Sequence, residues 1–430
     1  MTVQLWMAIP FALLLLLIAV GPLLFPEFSE SNRNKFIVTA IIAVPTAIVM
    51  TVLGLGVPVL HQVLFDYFPF MMLLLSLYVI TGGIQIKGDM VATPNVNAGI
   101  LFLGFILASF MGTTGAAMLL IRFLLETNSQ RKYRTHTVLF FIALVANCGG
   151  ILTPLGDPPL FLLYLRGAPF TWFAQLLPQW ALTGLLLLAI YYIIDSHYYK
   201  KEPVENKKQD LRQFSPVRFK GKINFIYLLL VILGVMFLNP SHIPAMEGHG
   251  PLSFLREILF AILIVLSLKT TPRSIRSFNN FSWDPIAEVA ILFLGIFVTM
   301  TPALMYLYQH AHELGLTRPW EFFYATGLLS SFLDNSPTAV AFYEVALGLG
   351  NVEGAETIAG VSPLLLKAIS LGAVFFGALT YIGNGPNFMV KSIAEKEGVR
   401  MPSFFGYMVK FSLCILLPVY VLIQLIFLPF

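Results

Sequence analysis

Charge is what this sequence has least of. Only 11% of its 430 residues are Asp, Glu, Lys or Arg, 57% are hydrophobic, and the mean hydropathy is +0.82. That balance excludes a soluble protein and leaves no stretch for a soluble domain. Cysteine is almost missing: Cys148 and Cys414 lie far apart in apolar segments, which excludes a disulfide framework and makes both small core residues. There is no GxxxxGK[ST] loop, no ATPase domain and no nucleophile elbow, so neither ATP-driven transport nor an enzyme is expected. The net charge of +4 implies no nucleic-acid partner, because the basic residues sit in loops between apolar runs. No basic residue precedes the first apolar run, so a retained first helix is expected rather than a cleaved signal.

What is present is long apolar runs. Those at 5–26, 36–60, 67–86 and 171–194 carry no charge and reach the roughly 20 residues needed to cross a hydrocarbon core of about 30 Å. The expected class is an all-α polytopic protein, multi-pass in the cell (inner) membrane, with the lipid bilayer as its main partner. Units fall at 5–26, 36–60, 67–86, 98–125, 135–165 and 171–195, and again at 223–240, 251–268, 284–308, 320–350, 361–390 and 404–428. The domains are a first repeat (1–195), a basic cytoplasmic linker (196–222) and a second repeat (223–430).

Two stretches break membrane helices. In Thr153-Pro154-Leu155-Gly156-Asp157-Pro158-Pro159 the prolines and glycine cannot continue a helix. Thr380-Tyr381-Ile382-Gly383-Asn384-Gly385-Pro386-Asn387 repeats the pattern 227 residues later. Likewise Ser109-Phe110-Met111-Gly112-Thr113-Thr114-Gly115-Ala116 lines up with Ser331-Phe332-Leu333-Asp334-Asn335-Ser336-Pro337-Thr338, 222 residues on. If 98–125 and 320–350 are re-entrant hairpins, each half has five crossings plus one hairpin, and the odd number inverts the second half. The distribution of basic residues agrees: this threading puts 22 of 26 Lys and Arg on the cytoplasmic side, leaves Arg166, Arg256 and Arg318 outside, and buries Lys367 in a span.

Non-helical backbone at membrane depth must line a cavity or be buried in protein, and matched breaks in two halves point to a binding site between them. Hydroxyls, freed carbonyls and a carboxylate make an oxygen cage suited to a hard cation such as sodium. The first cage is Thr113, Thr114, Thr153 and Asp157; the second is Asp334, Asn335, Ser336, Thr338, Thr380 and Asn384. An intramembrane carboxylate costs about 2.5 to 3.5 kcal/mol on insertion scales, so Asp157 and Asp334 are functional candidates, although each also precedes a helix start that it could cap. Lys367 is expected to snorkel or to pair with Glu344, and Glu288 to be interfacial. His61, His242, His249, His310 and His312 read as outer loop residues; no fixed metal or other cofactor is expected.

Gly149-Gly150-Ile151-Leu152-Thr153-Pro154-Leu155-Gly156-Asp157-Pro158-Pro159 and Ser330-Ser331-Phe332-Leu333-Asp334-Asn335-Ser336-Pro337 resemble the paired motifs of the ion transporter superfamily. That group includes NhaD-type sodium/proton antiporters, ArsB-type arsenite exporters, citrate–metal (CitMHS-like) transporters and sodium-coupled dicarboxylate symporters. The resemblance covers nearly the whole chain and implies a scaffold domain, an elevator-like transport domain and a homodimer. The acidic motif residues look most like the NhaD branch, although Gly112 stands where those antiporters tend to carry a polar amide.

Two readings follow: a sodium/proton antiporter in which Asp157 and Asp334 alternate between sodium and protons, or a sodium- or proton-coupled carrier of citrate or a related carboxylate. Two carboxylates at the motif positions repel an anion and favour the first. A channel or receptor gives no reason for two matched breaks. The threading predicts both termini outside and the linker Lys200 to Lys222 inside. A cysteine placed in the linker should be labelled only after the membrane is opened; labelling from outside intact cells overturns the threading.

Overall fold

At 1.5 Å per residue a helix needs about 20 residues to cross the hydrocarbon. The computed structural model describes residues 3–25, 28, 31–248, 250–351 and 354–429, and eight of its helices are long and apolar enough. They are Asn32–Val52, Gly56–Thr81, Pro94–Met111, Thr135–Leu152, Phe170–Lys201, Pro251–Thr270, Asp284–Gln309 and Phe404–Phe427, with shorter apolar helices at Leu5–Gly21, Ile223–Phe237 and Pro363–Leu379. Exposed side chains on the outer helices, such as Ile41, Leu185 and Ile193, are apolar, as a lipid-facing surface requires. The chain is a multi-pass helical membrane protein.

Three expectations need correction. The third span starts at Gly56 rather than 67, because the chain turns at Gly54, whose φ of +78° suits glycine, and then runs through a π-helical stretch at Gln62–Tyr67. Asp66 therefore lies within a helix, where Arg166 at 3.3 Å balances its charge. The linker is also more than a polar connector. The sixth span runs on to Lys201, Val204–Gln213 is helical, and strand Ser215–Lys220 pairs antiparallel with Gln85–Asp89, matching Gln85 to Lys220 and Lys87 to Arg218. This ribbon, with a single antiparallel bridge between Ile358 and Val361, departs from an all-α chain. Finally, Cys414 is exposed, not in the core; Cys148 is buried, and both are free.

Contacts sort the loops into two ends. At one, Arg134 Nη2 donates to the Glu397 carbonyl (2.8 Å), Thr135 Oγ1 to that of Arg400 (3.1 Å) and Arg276 Nη1 to that of Val79 (2.8 Å), and Lys35 pairs with Glu288 at 2.6 Å. At the other, Val3 N donates to Gln309 Oε1 (3.1 Å) and Tyr164 Oη to the Val235 carbonyl (2.7 Å), and Arg166 meets Asp66.

The helices also fall into two packed groups. Ile9–Leu24, Asn32–Val52, Gly56–Thr81, Ile223–Phe237, Leu255–Thr270 and Asp284–Gln309 pack on one another. The segments 94–201 and 319–427 form the second group. Within it, Pro94–Met111 and Thr113–Thr127 fold back at Gly112 (φ +79°), and reciprocal 2.8 Å bonds between Asn97 and Asn128 tie their open ends. Pro319–Ser330 and Asn335–Gly348 form a second folded pair.

The two broken helices are braced alike. Thr153 Oγ1 donates to the Ser109 carbonyl, and Thr380 Oγ1 donates to that of Ser331. Leu155 N and Ile382 N then donate to those hydroxyls, each at 3.2 Å. In both breaks the chain crosses itself glycine on glycine: a Cβ on Gly156 would lie 2.0 Å from the Gly150 carbonyl oxygen, and one on Gly383 would lie 2.7 Å from that of Gly377.

These crossings set a test. Gly156→Ala and Gly383→Ala force backbone apart and should each cost on the order of 1–3 kcal/mol, Gly156→Ala more. Gly385→Ala, which meets nothing within 4 Å, is the control. Thermal unfolding in detergent should show the first two melting below wild type and the control unchanged; equal melting of all three contradicts the close crossing.

Candidate ion-binding site

Pro158 and Pro159 start the helix Pro158–Leu165, since a proline in the first turn forfeits no intrahelical hydrogen bond. Asp157 precedes it in extended conformation (φ −143°, ψ 142°), yet its carboxylate does not cap that helix. It turns inward and is almost wholly buried. Thr113 Oγ1 donates to Oδ1 at 2.7 Å, Asn384 Nδ2 reaches the same oxygen at 3.3 Å, and Asn335 Nδ2 donates to Oδ2. Four segments far apart in sequence thus meet at one carboxylate: both folded-pair tips and both helix breaks. The backbone adds a brace, with Thr113 N donating to the Gly156 carbonyl at 2.8 Å.

The other expected residues divide. Asp334 Oδ1 accepts from Ser336 N at 2.9 Å, so Asp334 does cap its helix, and Thr338 Oγ1 bonds back to the Asp334 carbonyl (2.9 Å). Thr153 and Thr380 are committed to the backbone braces. Thr114 lines a cavity beside the site. Asn335 Oδ1 and Ser336 Oγ are buried without a hydrogen-bond partner, two open oxygens at the tip of the second pair. Glu344 pairs with Arg166 (3.4 Å) rather than Lys367, and Glu288 sits with Lys35 at one end. His61 lies inside the third span, where it passes into the π-helical stretch, rather than in a loop, and His249 lies outside the described residues. Among the described residues no cluster of three or more His, Cys, Asp or Glu could hold a metal.

Two site residues were missed. Asn147 Nδ2 donates to the Ile142 carbonyl (2.8 Å) and to Asn387 Oδ1 (2.7 Å), while its own oxygen accepts from Asn384 Nδ2 at 3.2 Å. Asn387 Nδ2 holds the carbonyls of Gly377 (2.7 Å) and Thr380 (2.9 Å). These fully buried amides stitch one break to the other and aim Asn384 at Asp157. The signal was an amide in an apolar run, the criterion that singled out the carboxylates.

Among the described residues no Lys or Arg forms an ion pair with Asp157, and the charge of Asp334 acts against its own. Neutral donors alone solvate a buried carboxylate incompletely, so its charge calls for a proton or a cation. A cavity of about 130 Å³ lies against Thr113, Thr114, Pro154 and Leu155 and reaches Tyr78 and Pro285. Among the described residues no Lys or Arg lines it. Four helices begin at the site, at 113, 158, 335 and 385, and add the partial positive charge of their N-termini.

A family model described as "Putative citrate transport" (CitMHS_2) matches residues 1–428. A search of curated proteins finds no match.

Asp157→Asn keeps size but removes the charge and the site for a proton, so coupled transport should be lost while the protein stays folded. Asp334→Asn keeps its helix cap and should melt like wild type, whereas Asp334→Ala should lose about 1 kcal/mol. Transport in proteoliposomes and thermal melts check both; a fully active Asp157→Asn removes Asp157 from the chemistry.

Proposed function

The chain belongs to this citrate-transport family, and from that premise we propose that it is a secondary active transporter exchanging sodium for protons at Asp157. The carrying observation is a buried carboxylate that receives three neutral donors from both halves of the chain and, among the described residues, has no ion-pair partner. Sodium would complete its oxygen shell from Asp157, the hydroxyls of Thr113 and Thr114, and the open oxygens of Asn335 and Ser336. A proton neutralises the same carboxylate, so each species displaces the other, while Asp334 lowers the local potential.

In this reading 94–127 and 319–348 are re-entrant hairpins, the halves 1–195 and 223–430 are inverted repeats around the linker, and the site lies at the midplane. The shared braces at Thr153 and Thr380 support that symmetry. The group holding the hairpins and breaks moves as an elevator against the other group, in a homodimer in the inner membrane. Arg166 supports such motion. It rides on the moving group with Glu344 and pairs across to Asp66 on the static one, closing the outer side while the cavity reaches the inner end.

A second reading, coupled transport of citrate or a related dicarboxylate, is favoured by the family's description and by the four helix N-termini, which suit an anion once a cation offsets the carboxylates.

Competition at one carboxylate fixes the direction of the pH effect. Lowering pH protonates Asp157 and removes the charge that holds the cation, so the sodium concentration for half-maximal exchange should rise as pH falls, with no carboxylate added. Sodium-driven proton flux in proteoliposomes measures this. Flux absent with sodium alone but present with citrate selects the second reading.

A further inference from the structure

The linker between the two halves is held against the body by one side only. Asp210 Oδ2 accepts from Ala92 N at 2.9 Å, and Gln213 Oε1 accepts from Gln130, so one face of the helix Val204–Gln213 looks inward. Val204, Lys208 and Leu211 recur at the four- and seven-residue spacing of the opposite face, and all three are exposed. Leu211 is 63% exposed, Val204 58% and the following Phe214 57%, although each is apolar. Arg212 flanks them and is exposed too.

Charge on this segment is one-sided. Residues 200–222 hold eight Lys and Arg against three acids. Two of the acids are spent within the protein: Asp210 on Ala92 N, and Glu202 on the backbone N–H groups of Lys132 (3.0 Å) and Tyr133 (2.8 Å). Only Glu205 remains exposed to offset the basic residues.

Its height relative to the membrane is also set. The helix begins three residues after Lys201 ends one apolar helix, and the strand ends three residues before Ile223 opens the next. The Phe219 ring packs edge-on against Phe225 in the first turn of that next helix, with centroids 6.3 Å apart. A helix with exposed apolar residues, basic neighbours and a position where two spans leave the bilayer has the chemistry of an interfacial anchor.

We infer that the face of the linker carrying Val204, Lys208, Leu211 and Phe214 binds the anionic phospholipid headgroups of the membrane the chain spans. The apolar side chains enter the headgroup boundary, and Lys208, Arg212 and the strand residues Arg218 and Lys220 meet phosphate. Through Asp210 the anchor is tied to Ala92, just before the first folded pair, and through Gln213 to Gln130, just after it, so lipid charge acts on the two open ends of the pair whose tip carries Thr113.

The test uses the full chain with Leu211→Cys in a Cys414→Ser background, labelled with an environment-sensitive dye and placed in nanodiscs. In phosphatidylcholine containing phosphatidylglycerol, dye emission should shift to the blue, iodide quenching should fall and a headgroup nitroxide should quench. In pure phosphatidylcholine, at high salt, or in the Lys208→Gln/Arg212→Gln variant, those changes should be lost. Melting temperature and elution profile matched to wild type establish that the variants fold. Iodide quenching that is equal in both lipid mixtures overturns the inference. So does protection that appears only when an acidic protein is added.

Discussion

A polypeptide that stops being helical inside a bilayer must find partners for its freed N–H and C=O groups, because lipid offers none. In this protein each broken helix finds them in the folded pair of its own half. Thr153 reaches the Ser109 carbonyl and Thr380 that of Ser331, and each threonine hydroxyl in turn accepts from a backbone N–H two residues on. The glycine crossings at Gly150/Gly156 and Gly377/Gly383 let the chain come close enough for this. Everything at the site depends on these braces, since they decide where the four helix starts point.

Asp157 is the consequence. Its break leaves it at a helix start where capping would be the ordinary use of an aspartate, yet its carboxylate turns to Thr113, Asn335 and Asn384 instead. Donors drawn from both halves close around a charge that no basic side chain among the described residues balances. Such a group is stable when a proton or a cation joins it, and the exchange of one for the other is a transport cycle in outline. Asp334 is different: it caps its helix and contributes mainly its charge.

Much of this was legible beforehand because it rests on local rules. Proline and glycine mark the breaks, hydropathy marks the spans, and the 222- and 227-residue offsets match residues that make equivalent bonds. The residues gathered around Asp157 were named from motif chemistry alone. What escaped depends on long-range contact. Asn147 became a site residue through Asn384 and Asn387 more than 230 positions away. Arg166 meets both Asp66 and Glu344 across 100 or more positions, so the alternative of pairing Glu344 with Lys367 could not be decided from the sequence. The linker looked like a polar connector because strand pairing between residues some 130 positions apart leaves no local pattern.

Proton release on sodium binding tests the exchange at Asp157 most directly. Purified protein in weakly buffered detergent solution, at a pH where the site is protonated, should acidify the medium when sodium is added and not when choline is added. Asp157→Asn should release none. Sodium binding without proton release by the wild type, or equal release by Asp157→Asn, would contradict exchange at this carboxylate.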